Sequence, residues 1–437
     1  MTELPDGWKV VPLGEVADTT LGKMLDGGKI RRLPNVPYLR NVNVQWGRID
    51  TDDLLTMELA DGDRERFAVQ PGDLLVCEGG EIGRAAIWNG RTEYLAFQKA
   101  LHRIRSRGNL DLSYVRYLFE LYRDDGTLRR FATGSTIAHL PQQKLRALPV
   151  PLPPLDEQRR IVDILEDHLS RLDAAEAGLG ETLERVRLLR VSSLAHNVRS
   201  QEESETGSLM FGDRALALAP GWASGCVAQA AELVEYGTSS KTHEGQRPGD
   251  VPVLRMGNVK DGRLVWGSLK YLASDNPGLQ KIMLRPGDLL FNRTNSAEHV
   301  GKTAVFEGEQ ELATFASYLI RVRFRPEVDP RWANMVINSP YGRAYVTSVT
   351  SQQVGQANVN GTKLKAFPLP IPSLGEQIAR IRRHAEVVDR ADRLLFEVQT
   401  AAQRLLSLRR SLLDAAFSGR LTGRSSDLEM VEEMAGV

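Results

Sequence analysis

Apolar residues recur at alternating steps of three and four positions in two stretches of the chain, at 165–186 and at 388–412. A sustained alternation of this kind is the stripe along which one helix packs on another. The pattern therefore predicts two long helices, at 155–198 and 373–418, that pair as an antiparallel coiled coil. The alternative is that each helix packs on its own globular domain. The predicted seam consists of Leu165, Leu169, Leu172, Leu179, Leu183, Val186, Val388, Leu395, Val398, Leu405 and Leu412.

Polar residues interrupt this seam at Glu176, Arg190 and Arg409, where they can set the register of the two helices. Alternating prolines precede each helix and forbid helical backbone until they end. These prolines are Pro149, Pro151, Pro153, Pro368, Pro370 and Pro372. Ser373 and Glu376 have the spacing of a capping box at the start of the second helix.

The segments outside the long helices show short β-like runs, at 38–44, 73–77, 85–88 and 101–105 in the first half of the chain. A Pro-Gly-Asp sequence stands at the start of the second of these runs, and it predicts a turn that leads into a buried strand. The same Pro-Gly-Asp-Leu-Leu block begins at Pro71 and again at Pro286, so the two copies are 215 residues apart (286 − 71).

The whole first half of the chain is repeated in the second half. The Pro-Gly-Asp-Leu-Leu blocks have an offset of 215 residues, and the proline runs that begin at Pro149 and Pro368 have an offset of 219 (368 − 149). A period above 200 residues indicates a domain duplication, because the units of solenoid repeats are far shorter. The predicted organisation is a first domain at 1–154, a helix at 155–198, a linker at 199–219, a second domain at 220–372, a helix at 373–418 and a flexible tail at 419–437.

Composition narrows the class of protein. The 437 residues are 42% hydrophobic and contain no apolar run long enough to cross a bilayer, and the first residues lack the pattern of a signal peptide. Cys77 and Cys226 are too few for a disulfide framework or a structural zinc site. We therefore expect a soluble, cytoplasmic protein that does not bind membranes. The 56 basic and 56 acidic residues balance, so any contact with nucleic acid must come from local basic clusters.

The order of domain, helix, domain and helix resembles the specificity subunits of Type I restriction-modification systems. The repeated Pro-Gly-Asp-Leu-Leu block, the Gly83-Arg84 and Gly301-Lys302 pairs, and the proline runs that end in Leu-x-Glu-Gln carry the resemblance, which covers about residues 5–420. The resemblance implies an α+β fold with two duplicated α/β target-recognition domains joined by two long antiparallel coiled-coil helices. The helices in such subunits serve both as spacer and as docking surface.

The function implied by this resemblance is recognition of a two-part, asymmetric site in double-stranded DNA, without catalysis by the chain itself. Two modification subunits, which bind S-adenosylmethionine and methylate adenine, are the implied partners. Restriction subunits that use ATP and Mg²⁺ would join in systems that cleave DNA. We expect no cofactor and no metal in this chain. The alternative within this class is a specificity subunit of a modification-only system.

Two further hypotheses belong to other classes. The chain could be a modification enzyme with a fused reader, but no glycine-rich S-adenosylmethionine loop follows a strand in the sequence. It could also be a coiled-coil scaffold that binds only protein. Fragments that hint at catalysis are weak: Gly301-Lys302-Thr303 lacks the opening glycine of a P-loop, and Asp73 with Glu78 lacks the lysine of a metal-dependent nuclease. Asp73 and Asp288 are better interpreted as turn residues.

Three regions contain the candidate DNA contacts. Arginines alternate on one predicted strand of each half, which places them on one strand face. This face could bind phosphates or, equally, be a solvated face or form salt bridges to the helices. These arginines are Arg103, Arg105, Arg321 and Arg323. The loop after Pro-Gly-Asp-Leu-Leu differs between the copies while its flanks match, as expected of two readers of different sequences. Its candidates are Arg84 in the first copy and Arg293, Thr294, Asn295, Ser296, His299 and Lys302 in the second.

The third region is polar, poor in acidic residues and lies just before the proline run. Amide, hydroxyl and basic side chains of this kind can contact base edges or phosphates. Its candidates are Ser135, Thr136, His139, Gln142, Gln143 and Lys144 in the first copy, and Gln352, Gln353, Gln356, Asn358, Asn360 and Lys363 in the second. Arg40, Asn43, Arg255 and Asn258 occur in both copies, which favours a phosphate contact or a role in the fold over base selection.

Overall fold

A computed structural model describes residues 4–25, 33–90, 94–134, 138–200, 207–353 and 356–422, with the backbone alone at 352 and 353. These residues form two compact units. Unit 1 comprises the described residues up to Gly180 and from Gln399 onward, and unit 2 comprises those of Glu181–Val398. Each unit contains a mixed α/β domain and a part of both long helices, so the predicted fold class is confirmed.

The elements of the first half follow the order expected of a small mixed domain that leads into a long helix. Its strands are β1 (Lys9–Pro12), β2 (Ala17–Leu21), β3 (Asn35–Leu39), β4 (Val44–Gln45), β5 (Arg48–Ile49), β6 (Leu55–Glu58), β7 (Leu74–Cys77), β8 (Ala85–Ile87), β9 (Ala96–Phe97), β10 (Leu101–Ser106) and β11 (Pro149–Leu152). Its helices are α1 (Leu13–Val16), α2 (Asp61–Phe67), α3 (Leu112–Asp124), α4 (Thr127–Phe131), α5 (Gln142–Arg146) and α6 (Leu155–Val198).

The second half repeats this order after an additional hairpin. Its strands are β12 (Gly207–Phe211), β13 (Arg214–Leu218), β14 (Ala223–Cys226), β15 (Ala231–Tyr236), β16 (Val251–Leu254), β17 (Val259–Lys260), β18 (Arg263–Leu264), β19 (Lys270–Leu272), β20 (Leu289–Asn292), β21 (Thr294–Asn295), β22 (Thr303–Val305), β23 (Thr314–Phe315), β24 (Leu319–Phe324), β25 (Ser351–Gln353), β26 (Gln356–Asn358) and β27 (Pro368–Ile371). Its helices are α7 (Val227–Ala230), α8 (Pro330–Asn338), α9 (Pro340–Val349), α10 (Gly361–Lys365) and α11 (Leu374–Phe417).

The same sheets recur in both units. An antiparallel four-stranded sheet has the order β2-β10-β7-β8 in unit 1 and β15-β24-β20-β22 in unit 2. A three-stranded sheet, β6-β3-β9 or β19-β16-β23, contains one parallel pair. The predicted strand at 38–44 is too long, because β3 ends at Leu39 and a 3₁₀ turn follows at Asn41–Asn43. The turn forms because the Asn43 side chain accepts a hydrogen bond from the Arg40 N–H at 2.9 Å.

The proline runs form edge strands, as their missing N–H groups require. In unit 1, β11 pairs with β1, and in unit 2, β27 pairs with β14. The glutamine at the end of each Leu-x-Glu-Gln motif is fully buried just beyond these strands. Gln158 accepts from the Asp111 N–H at 2.8 Å and donates to the carbonyls of Asn109 and Pro153 at 3.1 and 2.9 Å.

Gln377 makes the equivalent contacts in unit 2. Its side chain accepts from the Asp329 N–H at 2.9 Å and donates to the carbonyls of Glu327 and Pro372, each at 2.9 Å. One side chain thus satisfies three buried backbone groups and joins the loop before α3 or α8 to the start of the long helix. This explains why the motif recurs in both copies.

The two long helices run antiparallel within each unit. In unit 1, Arg409 of α11 pairs with Asp173 of α6 at 2.5 Å and with the buried Glu120 of α3 at 3.1 Å. In unit 2, Arg190 of α6 pairs with Asp392 of α11. Two of the three predicted polar interruptions of the seam are therefore interhelical ion pairs. The third, Glu176, is exposed.

Most of the predicted seam faces the partner helix or the domain. Leu165, Leu169 and Leu412 lie in the core of unit 1 with Tyr114 and Phe417. Buried or half-buried seam residues elsewhere are Leu172, Leu179, Val186, Val388, Leu395, Val398 and Leu405. Leu183 is the exception, since 40% of it is exposed. The alternative that each helix packs on its own domain is thus partly correct, because the helix ends belong to the domain cores.

Part of the predicted linker at 199–219 is folded. Strands β12 and β13 form an antiparallel hairpin, and Phe211 and Leu216 lie in the core of unit 2. The predicted flexible tail at 419–437 also begins in ordered structure, because Leu421 is buried in unit 1 and Thr422 donates to Glu157 at 2.7 Å. Residues 423–437 lie outside the described residues. The apolar core that contains the end of α6 thus includes the hairpin, and the core that contains the end of α11 includes Leu421.

The start of α11 departs from the predicted capping box in one respect. The Glu376 N–H donates to Ser373 Oγ at 3.4 Å, as expected. The Glu376 carboxylate, however, accepts from Trp222 Nε1 at 3.1 Å and pairs with Arg380 at 2.8 Å. It therefore fastens the helix to the domain. Across the described residues, the helices are too polar or too short to cross a membrane.

Candidate nucleic-acid interface

The aspartate of each Pro-Gly-Asp turn is buried and organises the arginines of the neighbouring strand. In unit 1, Asp73 accepts from the Gln70 N–H at 2.7 Å, which closes the turn, and it pairs with Arg105 at 2.5 and 2.9 Å. In unit 2, Asp288 accepts from the Arg285 N–H at 2.9 Å and pairs with Arg323 at 2.8 and 2.9 Å. The interpretation of both aspartates as turn residues is confirmed, and the structure adds the ion pairs.

The arginines of the stripe are therefore held by internal contacts within each sheet, and their interpretation as a phosphate-binding surface stays a prediction. Arg103 and Arg321 are buried and donate to backbone carbonyls, that of Ala68 in unit 1 and those of Met283 and Lys281, at 2.6 and 2.9 Å, in unit 2. Burial and the adjacent Arg323 lower the pKa of Arg321 to about 10. The arginines do form salt bridges, but their partner is the turn aspartate and not a helix, as the alternative interpretation had it.

The other two candidate regions meet in space, which the sequence did not show. In unit 2, β21 from the loop after Pro-Gly-Asp-Leu-Leu and β25 and β26 from the polar segment before the proline run form a three-stranded antiparallel sheet. Asn358 Nδ2 donates to Thr294 Oγ1 at 2.8 Å across this sheet. The Val359 N–H donates to the Arg293 carbonyl at 2.9 Å. Residues that are more than 60 positions apart thus form one surface.

Unit 1 has the same arrangement in a less regular form. His139 forms antiparallel bridges with Gly79 and with Thr133, and the Leu140 N–H donates to the Glu78 carbonyl at 2.7 Å. A side chain at Gly79 would have its Cβ only 3.0 Å from His139 Nδ1, so the imidazole fills the space above the glycine. His139 and Gly79 are therefore equivalent to Asn358 and Thr294 of unit 2.

The remaining candidates on this surface differ in their availability. Gln142 donates to the Thr19 carbonyl at 2.7 Å, so its side chain is held by the fold. Gln143, Lys144 and Gln356 are exposed, and Ser296 is exposed but contacts His299 through its Oγ. Asn360 is exposed but caps α10 by accepting from the Lys363 N–H at 3.0 Å. Lys363 Nζ donates to Ser351 Oγ at 3.2 Å.

The candidates in the loop after Pro-Gly-Asp-Leu-Leu make contacts within the fold. Arg84 donates to the Asn41 carbonyl at 2.6 Å. Lys302 lies 3.9 Å from Asp261. Arg293 lies over the ring of Tyr236, with its guanidinium carbon 5.0 Å from the ring centroid. His299 contacts Ser296 Oγ at 2.9 Å, and Asn295 accepts from the Ser296 N–H at 2.8 Å.

Four predicted contacts cannot be placed. Ser135 and Thr136 lie outside the described residues. Gln352 and Gln353 belong to β25, but their side chains are also outside the described part of the chain. The predictions for these residues remain predictions.

An open cleft of about 380 Å³ adjoins His139 in unit 1. The residues that line it are Lys23, Leu25, Asn41, Glu78, Gly79, Gly80, Gln98, Lys99, Ala100 and His139. Burial raises the pKa of Glu78, although Lys99 and His139 act in the opposite direction. Sequence reasoning did not select Lys23, Gln98 or Lys99. For Gln98 and Lys99 the sequence did contain a signal, because they directly follow Phe97, a position at which the two copies of the repeat match.

The residues shared by both copies belong to the fold. Asn43 and Asn258 are buried and hold the turns around them, Asn43 by donating to the Asp50 carbonyl at 3.1 Å and Asn258 to the Val265 carbonyl at 2.8 Å. Arg40 pairs with Asp53 at 2.8 Å. Of the two interpretations left open for these residues, a role in the fold is supported for both asparagines.

The fragments that hinted at catalysis have structural roles. Thr303 of the Gly301-Lys302-Thr303 fragment is buried and donates to Asn334 at 2.8 Å. Within the ranges that the structure describes, no group of three or more His, Cys, Asp or Glu side chains could hold a metal ion. The two units instead share one frame that supports two polar surfaces with different side chains.

Comparison with known proteins identifies the class more closely. Residues 5–185 match the family model of the Type I restriction modification DNA specificity domain. The chain is 24% identical over 433 residues to the StySPI specificity subunit of Salmonella potsdam, with 97% of this chain and 91% of that protein covered. It is 23% identical over 445 residues to the EcoKI specificity subunit of Escherichia coli K12, with the same coverage. The chain is thus a relative of Type I specificity subunits along nearly its whole length, and this resemblance is confirmed.

Solved structures show the same fold. A chain from a study of complex assembly and conformational transition of the type I R-M system has a TM-score of 0.73 at 20% identity, covering 96% of this chain and 100% of that one. The HsdS subunit from Thermoanaerobacter tengcongensis has a TM-score of 0.54 at 18% identity, covering 96% and 98%. The similarity in fold thus covers both domains and both long helices of this chain.

Proposed function

We propose that this chain recognises a two-part, asymmetric DNA sequence through the equivalent surfaces of units 1 and 2, for a Type I restriction-modification complex. The observation that carries the proposal is the antiparallel pairing that joins the two divergent loops in each unit, as a three-stranded sheet in unit 2 and as isolated bridges in unit 1. Its frame is the same in both units, but its side chains are Gly79 and His139 in one and Thr294 and Asn358 in the other. A shared frame with different polar side chains is what two readers of different half-sites require.

Neutral net charge is compatible with this proposal because a basic surface can be local and balanced by acidic groups elsewhere in the chain. Asp73 and Asp288 are buried in ion pairs, whereas Lys99 and Lys144 are exposed near the candidate surface of unit 1. Binding to phosphates is then a local property. We expect an affinity for DNA that falls steeply with salt, because Lys and Arg contacts release counterions from the duplex.

The helices supply a surface for partner subunits. Large apolar side chains of α6 in unit 2 are exposed, with 58% exposure for Leu188, 50% for Leu189 and 46% for Val191. Exposed apolar side chains this close together favour a protein contact. We propose that methyltransferase subunits bind here, and that they bring the S-adenosylmethionine. Restriction subunits, with ATP and Mg²⁺, would join in a system that cleaves. The chain itself would be neither methyltransferase nor nuclease.

The decisive experiment maps methylated adenines in DNA treated with the chain and its modification subunit. The expected result is one asymmetric two-part motif with a fixed gap. The isolated chain should bind the same DNA without modifying it. Methylation by the isolated chain, or an absence of salt-dependent DNA binding, would overturn the proposal and favour the fused-enzyme or the scaffold hypothesis, respectively.

A modification-only system is the alternative within the same class. It makes the same predictions for this chain and differs in the partners. Cleavage of unmodified DNA on addition of a restriction subunit and ATP would separate the two.

A further inference from the structure

The strongest contrast between the two units lies at one equivalent position of the candidate surface. Glu78 of unit 1 and Arg293 of unit 2 directly precede the bridge residues Gly79 and Thr294, and each contributes its carbonyl to the same type of backbone hydrogen bond. One unit therefore presents a carboxylate, which accepts hydrogen bonds, where the other presents a guanidinium, which donates them.

The Glu78 carboxylate is available for a ligand. It lines the open cleft with Lys99 and His139, and among the described residues no hydrogen bond or ion pair reaches its oxygens. A partly desolvated carboxylate without a donor is unfavourable in the free protein. The binding of a donor from outside removes that cost. Lys99, beside it, can contact the phosphate next to the bound group.

Arg293 is held so that part of its guanidinium remains available. The group lies over the ring of Tyr236, and one nitrogen donates to the Ser317 carbonyl at a long 3.4 Å. Its Nε is buried without a partner among the described residues. Stacking on an aromatic ring fixes the plane of a guanidinium without using its hydrogen-bond donors. The equivalent of Tyr236 in unit 1 is Leu21, which offers no such ring.

The neighbouring side chains differ in a matched way. His139 occupies the space above Gly79, where a Cβ would approach Nδ1 to 3.0 Å. Asn358 instead bonds to Thr294 Oγ1 at 2.8 Å. The histidine–glycine pair thus supports Glu78 in unit 1, and the asparagine–threonine pair supports Arg293 in unit 2. An exchange of one residue alone would disturb this support.

We infer that Glu78 and Arg293 are specificity-determining residues, with Glu78 selecting a cytosine and Arg293 a guanine on the strand that each unit contacts. In the major groove, a carboxylate accepts from the N4 amino group of cytosine, and an arginine donates to O6 and N7 of guanine. This inference rests on the proposed function. It requires a G·C pair in each half of the recognition sequence.

The test uses the full chain with its modification subunit and a random-sequence DNA library, in which methylated adenines are mapped. The first variant is Glu78→Gln. An amide both accepts and donates, so it bonds to adenine N6 and N7 as well as to cytosine. We expect the preference for cytosine at one position of one half-site to fall at least about tenfold, with adenine gained there. The other half-site and the gap should be unchanged.

The second variant gives unit 1 the side chains that unit 2 has at the four equivalent positions. It combines Leu21→Tyr, Glu78→Arg, Gly79→Thr and His139→Asn. The expected result is guanine in place of cytosine at that same position. Glu65→Gln is the matched control, because Glu65 is an exposed carboxylate of the same unit outside the cleft. It should leave the motif unchanged.

The outcomes separate the inference from the proposed function. A wild-type chain that directs no two-part methylation contradicts the proposed function itself. A normal wild-type motif that lacks a G·C pair in either half, or that stays the same with Glu78→Gln, overturns only the assignment of these residues. If the four-residue variant directs no methylation, Glu78→Gln still decides the question.

Discussion

Single aspartates hold each sheet together. Asp288 is fully buried, closes the Pro-Gly-Asp turn and binds Arg321 and Arg323 at once. Removal of one partner of a buried ion pair leaves an uncompensated charge, which costs more than the pair itself contributes. The recurrence of Asp73 and Asp288 in both copies therefore reflects stability, although arginine-rich strands in a DNA-binding protein suggest contact with phosphate.

Asp288→Ala should strongly destabilise unit 2. Two arginines lose their carboxylate in a buried site, so we expect a loss of about 3–5 kcal/mol in the free energy of unfolding. The measurement is urea denaturation of the full chain. Asp18→Ala is the control, since the Asp18–Arg107 pair is exposed and its loss should cost less than about 1 kcal/mol. Equal effects of the two variants would contradict the role assigned to Asp288.

Among the elements, the junction between domain and helix depends on one glutamine in each unit. Gln377→Leu keeps the size of the side chain but leaves the Asp329 N–H and the carbonyls of Glu327 and Pro372 without partners. Each unsatisfied buried group costs about 1–3 kcal/mol, so we expect a loss of at least about 2 kcal/mol. Hydrogen exchange should accelerate in unit 2 peptides and stay unchanged in unit 1 peptides.

Gln158→Leu is the equivalent variant in unit 1, and it should accelerate hydrogen exchange in unit 1 peptides. Gln143→Leu serves as the control, because Gln143 is exposed on α5. Uniform acceleration across both units by either buried variant would show that the glutamine does not act locally.

The contact between α6 and α11 in unit 2 contains a histidine that should make stability depend on pH. His384 contacts Ser193 Oγ at 2.9 Å, and burial together with Arg263 and Arg190 lowers its pKa to about 4. The unfolded chain has a histidine pKa of about 6.5. Between pH 6.5 and about 4, therefore, this histidine binds a proton in the unfolded chain but not in the folded chain. Stability therefore falls as the pH drops from about 6.5 towards 4.

This dependence is measurable by urea denaturation at pH 7.5 and pH 5. We expect His384 to account for a loss of about 2 kcal/mol at pH 5. His384→Gln cannot titrate, so the variant should lose correspondingly less stability on acidification. An identical loss in the variant and the wild type would contradict the assignment.

The sequence predicted those elements whose signal is local. The bounds of α6 and α11, Leu155–Val198 and Leu374–Phe417, agree closely with 155–198 and 373–418, because a sustained stripe and the proline runs mark both ends. The hairpin of β12 and β13 within the predicted linker was not predicted, although Gly212-Asp213 between apolar runs is a hairpin signal.

The arginine stripe could not be assigned from the sequence alone. Alternation shows that residues share a strand face but not what lies opposite. The partner of Arg105 became visible only through the register, in which β10 lies beside β7, directly after Asp73. The meeting of the loops at 77–84 and 133–144 has the same explanation, because contacts over long sequence separations have no local signal.

At the scale of the whole molecule, the exposed apolar side chains of α6 predict a partner contact. Leu188→Glu combined with Val191→Glu should abolish co-elution with the methyltransferase subunit, since charge at the centre of an apolar interface is strongly unfavourable. Both side chains are largely exposed, so the unfolding midpoint should change little. Glu184→Ala, an exposed neighbour, is the control. Retained co-elution of the double variant would place the contact elsewhere.

The division of the chain into units has a consequence for its synthesis. The core of unit 1 includes Leu412, Leu413, Phe417 and Leu421, although most of that unit precedes residue 181. Unit 1, whose domain is synthesised first, therefore cannot complete its core until the last part of the chain has been synthesised. Unit 2, in contrast, is complete once Val398 has been added. Domains generally fold as units during translation. The second-made domain should therefore be the first to mature, and the first-made domain should be the one that depends on chaperones.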